Sequence, residues 1–114
     1  MLNLPKRRKA EKLGVRSEPQ IRCDAHLRWV RGFCCSVQTE ACSGKIEAAH
    51  VRTGTDGGAS LKPGDNWTLP LCSWHHATQH RIGERAFEQE YGIDMKAIAQ
   101  ALWQRSPHRR KSST

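Results

Sequence analysis

The stretch that most constrains this chain is Leu71-Cys72-Ser73-Trp74-His75-His76-Ala77-Thr78-Gln79-His80, read together with His50 upstream. It carries three of the chain's six histidines and one of its five cysteines, with no proline or glycine after Cys72. A helix is therefore expected from about Ser73 to Arg81. At about 100° per residue, His76 and His80 fall about 40° apart on one face, and Cys72 and His75 about 60° apart on an adjoining face. A helix that starts at a cysteine and carries two such pairs can serve two metal ions. A core helix has no need of that pattern.

The distribution of cysteines supports a metal. Cys35 and Cys42, then Cys72 and His75, are two pairs from distant segments, as a tetrahedral structural zinc site requires. The first pair has a longer spacer than is usual, so Cys34 competes with Cys35 for its place. Cys72 with His76 is also a permissible pair at i, i+4. Assigning Cys72 and His75 to zinc leaves His76 and His80 for a second ion and uses each ligand once. Cys23 is read as a small buried hydrophobe. At 114 residues, 37% hydrophobic and a mean hydropathy of −0.73, the chain is one domain with a small core that needs a staple. No run approaches the length of a membrane span. The basic opening residues have no apolar segment behind them, which argues against a secretory signal and favours zinc over disulfides.

Charge divides the chain into three parts. Residues 1–20 hold Lys6, Arg7, Arg8, Lys9, Lys12 and Arg16 against Glu11 and Glu18, and residues 105–114 hold Arg105, Arg109, Arg110 and Lys111 with no acid. Residues 21–104 carry nine basic and nine acidic side chains and are neutral. The expectation is a folded domain over 21–104 between two disordered basic tails suited to phosphate backbones. Within that domain, Ile21–Phe33 suits a short helix or an extended lead-in, with helix preferred, and Lys45–Val51 a strand. Residues 52–66 form a long glycine-rich loop of the kind that is usually functional. Trp67–Leu71 reads as a second strand, with Pro70 at an edge or at its end. Glu84–Tyr91 and Asp94–Trp103 read as further helices separated by Gly92, the last with an apolar stripe of Met95, Ile98, Ala99, Leu102 and Trp103 facing the core. Trp67 and Trp74 are also read as core.

His50 ends the first strand and opens the loop; Asn66 closes it. Two strands, the loop and the following helix would bring His50 opposite His76 and His80. An asparagine can tie down a loop backbone through its amide. A histidine held there can take a proton from water at neutral pH.

The ordered set Ala49-His50-Val51, Asp65-Asn66-Trp67 and Leu71-Cys72-x-x-His75-His76-x-x-x-His80 resembles the HNH nucleases of the ββα-metal (His-Me finger) class. The stretches His50–Gly58, Gln79–Gly83 and Ala86–Glu88 are similar to a phage and prophage branch related to the recombination-enhancement Ref nuclease. Over residues 24–104 the resemblance implies an α+β fold, a zinc-stapled ββα-metal domain with additional C-terminal helices. It implies that His50 is the general base and Asn66 the loop-orienting residue. His76 and His80 would hold a catalytic divalent metal (magnesium or manganese, with zinc or nickel as alternatives). Cys35, Cys42, Cys72 and His75 would form the structural zinc knuckle. Arg52, Lys62, Arg81 and Arg85 are candidate phosphate contacts. The implied partner is DNA, with a recombination protein as a second candidate, in the cytoplasm of a bacterium or phage-infected host. Many HNH nucleases place an acid or a second histidine directly before the base as a third metal ligand; here that position is Ala49. The ion would then be held by two histidines with water and substrate phosphate, or also by a loop acid such as Asp56 or Asp65. A zinc-stapled nucleic-acid-binding module without catalysis is the competing expectation.

Overall fold

The computed structural model describes residues 20–57 and 61–109. The expected N-terminal tail lies outside these residues except for Gln20, as does the end of the C-terminal tail from Arg110. Six elements follow in order: α1 (Asp24–Val30), β1 (Ile46–His50), β2 (Thr68–Cys72), α2 (Ser73–Ile82), α3 (Glu84–Tyr91) and α4 (Met95–Arg105). β1 and β2 pair antiparallel, with Ile46 opposite Cys72, Ala49 opposite Leu69 and His50 opposite Thr68. The architecture is a small α+β unit in which α1, α2 and α4 pack on one two-stranded ribbon. No described helix is long and apolar enough to cross a membrane.

All five residues of β2 are buried. A two-stranded ribbon leaves each strand with an open edge, and such an edge must be covered or blunted. Here the cysteine-bearing loop covers β2: Ser36 N–H donates to the Pro70 carbonyl at 2.8 Å, and Cys72 N–H donates to Cys35 Sγ at 3.2 Å. Pro70 therefore sits mid-strand and buried, not at the strand's end as one of the sequence alternatives had it. Its missing N–H costs nothing there, because that edge uses its carbonyl.

The core gathers Val37, Ala49, Val51, Leu69, Leu71, Phe87, Met95 and Ala99 around the ribbon. Gly83 and Gly92 divide the C-terminal half into three helices. Gly92 closes α3 in the left-handed region at φ 64° and donates to the Glu88 carbonyl at 2.8 Å, a conformation that glycine reaches without a Cβ penalty. α4 then starts on two carboxylates: Asp94 accepts from Ala97 N–H at 3.1 Å and Glu88 from Met95 N–H at 2.8 Å. Met95, Ala99 and Leu102 of the expected stripe are buried.

Several expectations are corrected. α1 is shorter than Ile21–Phe33, because Ile21–Cys23 run extended to reach the loop before β2. α4 continues to Arg105, and Ser106 beyond it is 8% exposed and bonded to His26 Nδ1 at 2.8 Å. The chain from 105 to 109 is thus part of the fold, not tail. Trp74 is 41% exposed on α2, since the helix turns its cysteine and histidine faces inward instead. Cys23 is only half-buried; its backbone N–H, not its thiol, has the structural role.

Candidate metal centre and adjoining histidine cavity

Cys72 is the N-cap of α2, and its Sγ accepts from His75 N–H at 3.4 Å. One turn of helix then turns the His75 ring, fully buried, back toward three sulfurs. His75 Nδ1 lies 3.2 Å from Cys72 Sγ, 3.5 Å from Cys42 Sγ and 3.7 Å from Cys35 Sγ. The four donor atoms lie within 4.8 Å of one another. A tetrahedral zinc ion, bonded at about 2.3 Å to sulfur and about 2.0–2.1 Å to nitrogen, sets an N and an S about 3.5 Å apart. The cluster has the donor set and the spacing to hold zinc. His75 Nε2 faces Thr39 Oγ1 at 3.2 Å, which leaves Nδ1 as the coordinating nitrogen. The choice between neighbouring cysteines is resolved by burial: Cys35 is in the cluster and Cys34 is exposed.

The thiols differ in acidity. Burial pushes Cys35 up to about 11. Burial also opposes ionisation of Cys72, but hydrogen bonds from the His75 and Ser43 backbone, with His75 and Cys42 side chains, bring it down to about 6. Cys72 is thus the more acidic of the two thiols, and a bound cation must displace the Cys35 proton.

On the neighbouring face of α2, His76 and His80 turn their Nε2 atoms toward each other at 3.2 Å. Two imidazoles bound at about 2.1 Å to one ion place their nitrogens about 3.0–3.4 Å apart. Glu47 of β1 faces His76 Nδ1 at 2.6 Å and also accepts from Ser73 Oγ at 3.0 Å. The hydrogen bond from His76, then that from Ser73, holds the Glu47 carboxyl below its ordinary value. A carboxylate on the distal nitrogen is the usual support of a metal-binding histidine. Glu47 was missed in the sequence; its one signal was a lone acid three residues before His50.

His50, His76 and His80 line one cavity of about 560 Å³, together with Arg52, Lys62 and Glu84. Glu84 accepts from Arg52 N–H and Thr53 N–H, both at 2.8 Å, and so ties the start of the loop to α3. Arg81 and Arg85 are exposed and lie off this cavity. Asn66 does not reach His50: it lines a separate cavity with Trp67, Gln100 and Trp103, and its Oδ1 is buried without a partner. The partner of His50 is Asp65, whose Oδ1 lies 2.9 Å from His50 Nε2. Asp65 is 3% exposed. Burial lowers the His50 pKa against the raising effect of Asp65, with Lys62 and Arg22 adding to the fall, which favours the neutral ring. Burial raises the Asp65 carboxyl, but hydrogen bonds from His50 and Cys23 N–H outweigh it and the group stays below its ordinary range.

Fold and cluster together define a small α+β domain built around a Cys3His set that can hold zinc. The chain belongs to the family described as protein of unknown function (DUF968), whose profile matches residues 16–107. No curated protein and no solved structure matches it.

Proposed function

We propose that this protein is a metal-dependent endonuclease of the HNH type that cuts or nicks DNA. The observation that carries the reading is the convergence of His50 with the His76–His80 pair on one cavity, delivered by consecutive strand, loop, strand and helix. His50, neutral and anchored on one nitrogen, takes a proton from an attacking water. His76 and His80 would hold the divalent ion through Nε2, with Glu47 fixing the His76 ring. When bound, such an ion supplies positive charge to the scissile phosphate and to the leaving oxygen. Arg52 and Lys62, at the same cavity, bind the phosphates that flank the cut. The basic residues near both ends add affinity without sequence preference. The Cys3His cluster fixes the β2–α2 junction from which His76 and His80 project.

A second reading, a zinc-stapled nucleic-acid-binding module without catalysis, is favoured by one specific observation. Ala49 is fully buried in the core, and among the described residues the Cys3His set is the one group of three or more metal ligands. The second ion would therefore have two protein ligands and complete its shell with water and phosphate.

Plasmid relaxation by purified protein with magnesium or manganese, run beside His50→Ala, separates the two. Cleavage lost in the variant, at unchanged zinc content and melting, supports the nuclease. Inactivity of both proteins, with a gel shift on DNA, supports the binding module and sinks the nuclease. Equal cleavage by both would remove His50 as the base.

A further inference from the structure

Asp65 is held in place more firmly than a loop acid needs to be. Its Oδ2 accepts Cys23 N–H at 2.8 Å, and its own N–H donates to the Ile21 carbonyl at 2.8 Å. Thr68 Oγ1 donates to the Asp65 carbonyl at 2.9 Å, and Thr68 is the β2 residue paired with His50. Arg22 spans the same corner, donating to the Pro63 carbonyl at 2.7 Å with its guanidinium 3.6 Å from Asp65 Oδ1. Cys23 N–H and Arg22, both from the lead-in to α1, hold the carboxylate, while Ile21 from that lead-in and Thr68 from β2 pin the Asp65 backbone. The other oxygen, Oδ1, which Arg22 approaches at ion-pair distance, faces His50 Nε2 at hydrogen-bond distance. His50 Nδ1 has no hydrogen-bond partner among the described residues, and its ring lines the cavity.

We infer that Asp65 is the positioning residue of this site: it holds the proton of neutral His50 on Nε2 and leaves Nδ1 as the atom that accepts a proton from the cavity. A carboxylate is an acceptor only, so it stabilises the single tautomer in which Nε2 carries hydrogen. This gives Asp65 a role distinct from that of a metal ligand, since the backbone and Arg22 contacts direct it at His50. The catalytic half of the inference rests on the nuclease reading; the tautomer half does not.

The discriminating substitution is Asp65→Asn. Cys23 N–H requires an acceptor, so the amide oxygen stays on that side and the NH2 group turns to His50 Nε2. A donor there drives the proton onto Nδ1 and blocks the basic atom. The experiment is nitrogen-15 NMR of the histidine rings in zinc-loaded protein above pH 7, with His50 assigned by its absence in His50→Ala. The wild type is expected to show the Nε2–H tautomer, and Asp65→Asn the Nδ1–H tautomer. Cleavage is expected to fall on the order of a thousandfold or more, as a wrong tautomer costs other hydrolases, at unchanged zinc content. A wild-type His50 protonated on Nδ1, or a tautomer that Asp65→Asn leaves alone, would overturn the inference. The wild-type spectrum decides the point even if the variant fails to fold. A tautomer that flips in a protein that never cleaves DNA would uphold Asp65 and reject the nuclease.

Discussion

Removal of one zinc ligand should abolish the fold, and the neighbouring pair Cys34 and Cys35 provides both the perturbation and its control. All five thiols are free, so no disulfide supports the domain. Cys35 Sγ lies in the Cys3His set and also accepts Cys72 N–H, the bond that covers the edge of β2. Structural zinc contributes about 10–16 kcal/mol of apparent binding free energy at neutral pH, whereas an ordinary domain is stable by about 5–15 kcal/mol in all. Cys35→Ser should therefore leave no cooperative unfolding transition at 25 °C. Cys34→Ser changes only an exposed side chain, for which about 0.5 kcal/mol and a melting shift below about 4 °C are expected. The assay is far-UV circular dichroism on heating, paired with zinc released and counted per chain. Equal zinc content and equal melting for wild type and Cys35→Ser would refute the staple. So would a wild type that melts unchanged after chelation.

Three further outcomes test other parts of the structure. Glu47→Gln weakens the support of His76 and should reduce affinity for manganese at His76 and His80 by about 10–100-fold, read by metal titration, with the Cys3His zinc retained; unchanged affinity would show that Glu47 does not orient the ring. Burial lowers the pKa of His26, which sits fully buried between Trp29, Trp103 and Ser106 with His108 adding to the fall. The unfolded chain therefore binds that proton first, so the stability His26 contributes is complete above about pH 6.5 and is lost as pH falls through its lower folded value. Urea midpoints measured from pH 7 to 5 should fall less steeply in His26→Gln than in wild type; parallel slopes would contradict a buried neutral His26. Finally, since Cys35 keeps its proton in the metal-free site, zinc uptake should release protons into a weakly buffered solution. A pH-independent affinity would rule out that protonated thiol.

The parts of this protein legible in its sequence are those governed by local periodicity. Helical spacing placed Cys72 with His75, and His76 with His80, because residues three and four apart share a face whatever the surrounding fold. Strand patterning located β1 and β2 to within a residue or two, and Gly92 marked where α3 stops. Local rules failed at Trp74, where the metal-facing side of α2 took the interior that an indole usually occupies. The remaining choices depend on which distant segments the ribbon register brings together. Burial selected Cys35 over Cys34, because only Cys35 faces the β2 edge. Pairing His50 with Thr68 carried Asp65, not its neighbour Asn66, to the imidazole. The Glu47–His76 contact spans two elements, and the His26–Ser106 bond joins α1 to the end of α4. No spacing within one segment encodes such contacts. They are settled when the loop closes and the helices dock on the ribbon, where a buried polar group can take only a partner that the packing leaves within reach.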